Sequence, residues 1–440
     1  MIKPLVAIVG RPNVGKSTFF NKMAGKRISI VEDTPGVTRD RIYADAEWCG
    51  YNFTMVDTGG IEIHSEDQMW MHIKRQAELA VDLADVILFF VDGKTGIMPD
   101  DYDVANYLRK SKKPIVLAVN KIDNQKNDNF YDFYSLSLGE PIPISSENSL
   151  NLGDLLDEIV KHFPAKSETV VEDESIKIAV VGKPNAGKSS LVNRILGFER
   201  VIVSDIAGTT RDAIDTPFEV DGQSYRIVDT AGIRRKNKVT EDVEYYSVIR
   251  AIDSIRRADV VAILIDASEE MTEQDIKICG LVHESGKPSV IIMNKWDVVE
   301  KDSFTVNKFN DILQEELKFM DYFKPLYISA LTGQRTHLVL KTLKEVYDNA
   351  SQRISTGLLN DVMQDAMSIN DPPTHKGKKL KVYYCTQATT NPPTIIIFVN
   401  DETIMHFSYK RYLENSLRKA FDFSGTPIRI RIRNKDSDEI

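Results

Sequence analysis

Gly10-Arg-Pro-Asn-Val-Gly-Lys16-Ser17 follows a short apolar run, Leu5–Val9, and recurs 172 residues later as Gly182-Lys-Pro-Asn-Ala-Gly-Lys188-Ser189. The pattern Gly-x-x-x-x-Gly-Lys-Ser is typical of a phosphate-binding loop, in which backbone N–H groups and a helix N-terminus surround phosphate oxygens. A glycine turn can match the pattern once by chance. Two matches in register predict two nucleotide-binding domains.

Two more motifs recur in the same order. Asp57-Thr-Gly-Gly60 returns as Asp229-Thr-Ala-Gly232, and Asn120-Lys-Ile-Asp123 returns as Asn294-Lys-Trp-Asp297. Three motifs at a nearly constant offset indicate one domain present twice.

Within each copy, apolar strand-like runs alternate with amphipathic stretches. This order predicts an α/β fold with a mainly parallel sheet, helices on both faces, and ligand sites at the carboxyl ends of the strands. In the first copy the expected strands are Leu5–Val9, Phe53–Val56, Val86–Val91, Ile115–Val119 and Ile142–Ile144, and the expected helices include Met71–Leu83 and Asp154–His162.

A chain of 440 residues suits about three domains. We expect a first domain at residues 1–165, an acidic linker at 166–175, a second domain at 176–352, and a smaller α+β domain, the tail, at 353–440. The tail holds 13 lysines and arginines against 10 acidic residues, so it carries +3 while the rest of the chain carries −12.

Targeting and redox features are sparse. The three cysteines have no metal-ligand spacing, which disfavours a disulfide framework or a zinc site. No run approaches the roughly 18 apolar residues of a membrane span, and no signal-peptide pattern opens the chain. We therefore expect a cytoplasmic protein with no stable membrane association.

The motifs assign roles to the phosphate side of each site. Lys16 and Lys188 are expected to neutralise β- and γ-phosphate oxygens. Ser17 and Ser189 are expected to bind Mg²⁺, with Asp57 and Asp229 holding the ion through water. Gly60 and Gly232 can each donate a backbone N–H to the γ-phosphate.

The Asn-Lys-x-Asp motif predicts guanine as the base. A carboxylate can accept two parallel hydrogen bonds from the ring N–H and exocyclic amine of guanine, and adenine offers no such pair. Asp123 and Asp297 are therefore the expected guanine readers, and Lys121 and Lys295 can lie along the base plane. The predicted ligands are GTP and GDP.

The predicted nucleotide contacts come from four segments of each copy. In the first copy they are Gly10, Arg11, Pro12, Asn13, Val14, Gly15, Lys16, Ser17, Asp57, Thr58, Gly59, Gly60, Ile61, Asn120, Lys121, Ile122, Asp123, Ser145 and Ser146. In the second copy they are Gly182, Lys183, Pro184, Asn185, Ala186, Gly187, Lys188, Ser189, Asp229, Thr230, Ala231, Gly232, Ile233, Asn294, Lys295, Trp296, Asp297, Ser329 and Ala330.

Taken together, the chain resembles the EngA (Der) family of tandem P-loop GTPases with a C-terminal KH-like domain. The resemblance rests on the doubled motifs, on the basic tail, and on three strings: Asp33-Thr-Pro-Gly-Val-Thr-Arg-Asp40, Ala207-Gly-Thr-Thr-Arg-Asp212 and Asp229-Thr-Ala-Gly-Ile-Arg-Arg-Lys-Asn-Lys238. It implies a bacterial GTPase that acts in assembly of the large ribosomal subunit and contacts its RNA rather than DNA. We expect a monomer.

The resemblance also implies catalytic roles for residues other than Lys16 and Lys188. Thr38 and Thr210 match the switch threonine, which closes on the γ-phosphate and completes the Mg²⁺ shell; the alternative is a threonine in a flexible loop. Ile61 and Ile233 stand where signalling GTPases have a water-orienting glutamine, so intrinsic turnover should be slow.

A bound cation could compensate for the missing glutamine. Asn13 and Asn185 occupy the position at which related GTPases hold K⁺, and a cation there could stabilise transition-state charge. Asparagine is also simply a good turn residue, so the two readings stand side by side.

The tail reads as helix, strand, strand, helix, strand. Leu358–Met367 and Tyr409–Phe421 have helical spacing, while Leu380–Cys385, Thr394–Val399 and the alternating Ile428–Arg433 read as strands. This order resembles the KH-like domain of the family, but the segment lacks the Gly-x-x-Gly loop with which KH domains clamp RNA. The aromatic residues Tyr383, Tyr384 and Phe398 are expected in the core.

Three function classes fit these features. The first is a GTP-controlled ribosome-assembly factor whose domain packing governs docking on RNA. The second is a regulatory GTPase that acts on a protein partner, with the tail as an interaction module. The third, a GTPase domain serving RNA modification or a membrane channel, is disfavoured because the sequence shows no further catalytic constellation and no membrane segment.

Overall fold

A computed structural model describes residues 3–25, 43–57, 78, 81, 83–123, 128–163, 175–197, 202–203, 215–229, 243–375 and 377–435. The contacts divide the chain into two compact units, Met1–Asp173 and Glu174–Ile440. The division falls inside the expected linker. Within the described residues no helix is long and apolar enough to cross a membrane.

The first unit is built on a six-stranded sheet with the order β2-β3-β1-β4-β5-β6. All neighbours are parallel except the hairpin of β2 and β3. The strands are β1 (Leu5–Gly10), β2 (Tyr43–Trp48), β3 (Tyr51–Asp57), β4 (Val86–Asp92), β5 (Ile115–Asn120) and β6 (Pro141–Pro143). The helices are α1 (Lys16–Gly25), α2 (Pro99–Arg109) and α3 (Leu152–Lys161), with a 3₁₀ helix at Asp128–Leu136.

The central strands are apolar throughout because both of their faces are covered. Val6 and Ile8 of β1 pack in a core with α1 and α3, while Ala7 and Val9 pack in a second core with α2. This arrangement confirms the predicted α/β architecture. The predicted helix Met71–Leu83 lies mostly outside the described residues.

The second unit repeats this sheet. Its order, β13-β12-β11-β7-β10-β9-β8, is that of the first sheet with one more edge strand, β8. The strands are β7 (Ile176–Val181), β8 (Ile202–Val203), β9 (Thr216–Val220), β10 (Gln223–Ile227), β11 (Val260–Asp266), β12 (Ser289–Asn294) and β13 (Pro325–Tyr327). The helices are α4 (Lys188–Leu196), α5 (Val243–Arg257), α6 (Glu273–Ser285), α7 (Thr305–Glu316) and α8 (His337–Ser351), with a 3₁₀ turn at Lys318–Met320.

The tail has the predicted element order. It comprises α9 (Thr356–Ile369), a small ribbon of β14 (Thr374–His375) and β15 (Lys378–Lys379), then β16 (Val382–Thr389), β17 (Thr394–Val399), a 3₁₀ turn at Glu402–Ile404, α10 (Phe407–Ala420) and β18 (Arg429–Asn434). Strand β17 is antiparallel to β16 and parallel to β18. On β18 the arginines are exposed while Ile430 is buried, as the alternation predicts.

The predicted burial of the strand tyrosines is wrong. Tyr383 is 39% exposed and Tyr384 is 40% exposed, although Phe398 is buried. The cause is a register shift between Val382 and Tyr384, where β16 has one more residue than its partner strand. Such a β-bulge breaks the strict alternation on which the prediction depended.

The tail is packed on the second domain through a turn centred on Gly425. The Gly425 N–H donates to the Tyr322 carbonyl (2.7 Å), and the Gly425 carbonyl accepts from the Ser289 N–H (2.8 Å). The Arg418 guanidinium lies 4.9 Å from the centre of the Tyr322 ring, whose hydroxyl contacts His283 Nδ1 at 2.8 Å. Burial, with the nearby arginines, lowers the pKa of His283 to about 4.

Replacing Gly425 should loosen this contact. Its φ is +70°, and a Cβ there would lie 2.6 Å from Val346 Cγ2 and 2.9 Å from the Ser289 carbonyl oxygen. We expect Gly425→Ala to lower the free energy of unfolding by about 3 kcal/mol, measured by urea denaturation, because backbone strain and overpacking add.

Gly377→Ala is the matched control. Gly377 also has positive φ (+78°), but a Cβ there meets nothing within 4 Å. It should cost about 1 kcal/mol, the backbone penalty alone. Equal losses in the two variants would contradict tight packing at Gly425.

Candidate nucleotide-binding sites

Both phosphate loops lie between the first strand and first helix of their domain, and both lysines fold back over the loop. Lys16 Nζ donates to the carbonyls of Gly10 (2.6 Å) and Arg11 (2.8 Å). Lys188 Nζ makes the equivalent bonds to Gly182 (2.7 Å) and Lys183 (2.8 Å). Burial lowers the pKa of each lysine to about 8. A phosphate beside these ammonium groups would favour the charged form again.

A buried asparagine ties each phosphate loop to the base-recognition segments. Asn120 Nδ2 donates to the Val14 carbonyl (2.7 Å), and its Oδ1 accepts from the Ser146 N–H (2.8 Å). In the second domain Asn294 makes the same bonds to Ala186 (2.8 Å) and Ala330 (2.9 Å).

The same asparagine accounts for the requirement for glycine at one position of each phosphate loop. Gly15 has φ +95°, and a Cβ there would lie 2.2 Å from Asn120 Nδ2. Gly187 stands in the same relation to Asn294, also at 2.2 Å. Any larger residue would push the amide out of its bridging position.

The predicted Mg²⁺ residues come together in the first domain. Ser17 Oγ donates to Asp57 Oδ2 at 3.0 Å. In the second domain the Asp229 N–H donates to Asp215 Oδ1 (3.0 Å), and Ser189 is exposed at the start of α4. Hydroxyl and carboxylate oxygens are ligands that Mg²⁺ accepts, so these residues fit the ion. The other predicted contacts of this region lie outside the described residues: Thr38, Thr58, Gly59, Gly60, Ile61, Thr210, Thr230, Ala231, Gly232 and Ile233.

The predicted base-reading residues also converge. Asp123 Oδ1 accepts from Ser145 Oγ (2.8 Å) and Asn148 Nδ2 (3.0 Å), while Oδ2 pairs with Lys94 Nζ at 2.7 Å. The hydrogen bonds from Lys94 and then Ser145 hold the pKa of Asp123 below its usual value. Asp297 occupies the equivalent exposed position, next to the buried Trp296.

The lysine of each Asn-Lys-x-Asp motif is held by an aspartate outside the predicted motifs. Lys121 Nζ pairs with Asp92 Oδ2 at 2.7 Å, and Lys295 pairs with Asp266. Although burial raises the pKa of Asp92, the bond from Lys121 and two backbone N–H groups bring it below the usual value.

A second pair of missed residues anchors the phosphate loops from outside. Arg11 Nε donates to Asp101 Oδ1 (2.7 Å), and Lys183 Nζ lies 3.4 Å from Asp275 Oδ2. Asp101 is fully buried and also accepts from the Met98 N–H at the start of α2. Asp101 and Asp275 are 174 residues apart, the same offset as the two Asn-Lys-x-Asp motifs, so the sequence repeat is enough to identify them as a pair.

We expect Asn120→Ala to weaken guanine-nucleotide binding by the first domain at least tenfold. Its removal leaves the Val14 carbonyl and Ser146 N–H without their partner, at about 1–3 kcal/mol each, and lets the two loops move apart. Asn294→Ala should do the same in the second domain. Equilibrium dialysis with labelled GDP checks both.

Asn106→Ala, which removes an asparagine of α2 that accepts from Arg109, is the matched control and should leave affinity unchanged. Undiminished binding in both bridge variants would refute the bridging role.

Models of two protein families match this chain. One, described as 50S ribosome-binding GTPase, matches residues 5–121 and 177–295. The other, described as KH-domain-like of EngA bacterial GTPase enzymes, C-terminal, matches residues 353–433.

Curated relatives match over nearly the whole length. GTPase Der of Alkaliphilus oremlandii (strain OhILAs) is 55% identical over 436 residues, which is 99% of each chain. GTPase Der of Clostridium perfringens (strain SM101 / Type A) is 57% identical over 434 residues, 98% of this chain and 99% of that one.

Among solved structures, Era in complex with MgGDPNP and nucleotides 1506–1542 of 16S ribosomal RNA has a TM-score of 0.30 at 21% identity, covering 59% of this chain and 93% of Era. A probable GTP-binding protein engB has a TM-score of 0.28 at 25% identity, covering 36% of this chain and 97% of that one. These scores are too low to add to the assignment. On the family models and the full-length relatives, the chain belongs to the EngA (Der) family of GTPases, and it binds and hydrolyses GTP.

Proposed function

We propose that this GTPase is an assembly factor for the large ribosomal subunit, and that nucleotide-dependent packing of its domains controls docking of the tail on ribosomal RNA. The observation that carries the proposal is the surface of the tail. It combines exposed aromatic rings with cations, which are the groups that bind unpaired bases and phosphates.

This surface, the basic aromatic face, consists of Tyr383, Tyr384, Lys381, Lys435, Arg431 and Arg433. Tyr384 stacks on Phe398 with ring centres 4.4 Å apart, and the strand register places Phe398 opposite Arg433. The Nζ atoms of Lys381 and Lys435 lie 5.2 Å and 4.7 Å from the centre of the Tyr383 ring. The bulge in β16 presents both tyrosines, so the face supports stacking without a Gly-x-x-Gly loop.

The packing of the tail supports a single docking body. The Gly425 turn joins the tail to β12 and to the chain before β13, the two strands that lead into Asn294 and Ser329. The base-reading loops of the second domain and the basic aromatic face are thus parts of one compact unit.

The roles proposed for hydrolysis follow from the site. Lys16 and Lys188 bind phosphate oxygens, and the backbone N–H groups of both loops orient the phosphates. Bound Mg²⁺ would supply further charge stabilisation at the phosphates. Because isoleucine replaces the water-orienting glutamine, we infer slow intrinsic turnover that a cation or the docked partner accelerates.

Charge removal on the basic aromatic face should weaken RNA binding. For Arg431→Gln with Arg433→Gln we expect about a tenfold loss of affinity for large-subunit RNA, and a salt slope smaller by roughly 2, because each phosphate contact releases about one counterion. Fluorescence anisotropy against KCl concentration, with the full-length protein, measures both.

The control removes two exposed lysines of the second domain, Lys277→Gln with Lys341→Gln, and changes net charge equally. Equal losses of RNA affinity in the two double variants would show that the basic aromatic face contributes only nonspecific positive charge.

Co-sedimentation with ribosomal subunits under GTP, GDP and a non-hydrolysable analogue, with Lys16→Ala and Lys188→Ala separately, tests nucleotide control. Absence of pelleting in every state would favour the regulatory GTPase with a protein partner.

Potassium should accelerate turnover. Asn13 and Asn185 are exposed and have φ of 64° and 65°, so the turn role is satisfied while the side chains stay accessible. We expect GTP turnover to be at least about tenfold faster in KCl than in NaCl at equal ionic strength, as for one well-placed charge stabiliser.

Asn13→Gly with Asn185→Gly should abolish the difference, because glycine tolerates the left-handed backbone but offers no side-chain oxygen. Equal rates of GTP turnover by the unsubstituted protein in KCl and NaCl would contradict a role for potassium.

A further inference from the structure

The two guanine readers have different surroundings. Asp123 is engaged by Lys94, Ser145 and Asn148, which donate to both of its oxygens. Asp297 receives no side-chain hydrogen bond and no ion pair from any residue that the structure describes. Ser145 and Ser329 occupy equivalent positions, yet among the residues that the structure describes only Ser145 donates to its reader, and the residues at the positions of Lys94 and Asn148 differ as well.

The repeat shows why the second domain lacks them. The position of Lys94, two residues after Asp92, is filled by Ser268, two residues after Asp266. Ser268 donates its hydroxyl to Asp266 at 2.6 Å instead of reaching the reader. The position of Asn148 is filled by Thr332, whose N–H donates to Ser329 Oγ.

Guanine needs the oxygens that these donors occupy. A carboxylate has about four lone-pair directions, and the bidentate contact uses one on each oxygen. Ser145 and Asn148 already fill Oδ1, and Lys94 takes one direction of Oδ2. A base can therefore bind both oxygens only if Ser145 or Asn148 leaves Oδ1, while Lys94 competes with the base for Oδ2.

We propose that Lys94 and Asn148 cap the guanine reader of the first domain, so that this site binds guanine nucleotides more weakly than the second and in a salt-dependent way. The proposal rests on the assignment of Asp123 and Asp297 as readers. The cap is exposed, with 61% of the Lys94 side chain accessible, so its contribution is modest and is screened by salt.

The test exchanges the residues between domains. Each site is isolated in the full-length chain by converting the reader of the other site to asparagine, which replaces one acceptor oxygen by a donor and removes the guanine contact. In the Asp297→Asn background, Lys94→Ser with Asn148→Thr should tighten GDP binding about fivefold at low salt, the upper range for an exposed ion pair. In the Asp123→Asn background, Ser268→Lys should weaken it by about threefold.

Isothermal titration with GDP at low and high KCl provides the readout, and both effects should shrink at high salt. Unchanged or weaker binding after the first exchange would overturn the cap, since Lys94 would then be idle or would contact the nucleotide itself. Failure of the reader assignment looks different: the Asp→Asn sites would still prefer guanine to xanthine nucleotides, whatever stands at position 94.

Discussion

The side-chain amide of one buried asparagine in each GTPase domain is the contact on which the site depends. Asn120 joins the carbonyl of Val14 to the N–H of Ser146, two segments that are more than a hundred residues apart in the chain. The predicted phosphate contacts lie in the loop containing Val14, and the predicted base contacts lie in the loop containing Ser146. A single amide, donating through its NH2 group and accepting through its oxygen, fixes the spacing between them, and in the low-dielectric interior neither bond can be exchanged cheaply for water. Gly15 in the phosphate loop leaves room for that amide, because a Cβ at this position would overlap it.

Sequence reasoning recovered those parts of the structure that repeat or alternate. The doubled motifs gave the two sheets and the positions of the lysines, serines and aspartates, because backbone wrapping of phosphate demands a fixed pattern of glycines. It also gave the element order of the tail and the exposed arginines of β18, because a regular strand has a period of two.

Three features do not follow from such patterns, each for a different physical reason. The bulge in β16 is one additional residue that no residue type signals, so regular alternation wrongly predicts that Tyr383 and Tyr384 are buried. Asp101 and Asp275 stabilise helix starts and phosphate loops together, yet an aspartate in the first turn of a helix is ordinary capping chemistry. The three donors around Asp123 come from separate segments, and only the fold brings them to one carboxylate.

The docking of the tail on the second domain also links the tail to the base-reading loop through strand β12. Strand β12 begins at Ser289, which is bonded to the Gly425 turn, and ends at Asn294, which holds the base-reading loop, about 17 Å away over five residue steps. Strand β12 is fully buried, pairs with β11 along its whole length and pairs with β13 from Ile291 to Met293, so no break in pairing interrupts it. The turn that holds the tail and the asparagine that holds the base-reading loop of the second domain are therefore the two ends of one uninterrupted strand.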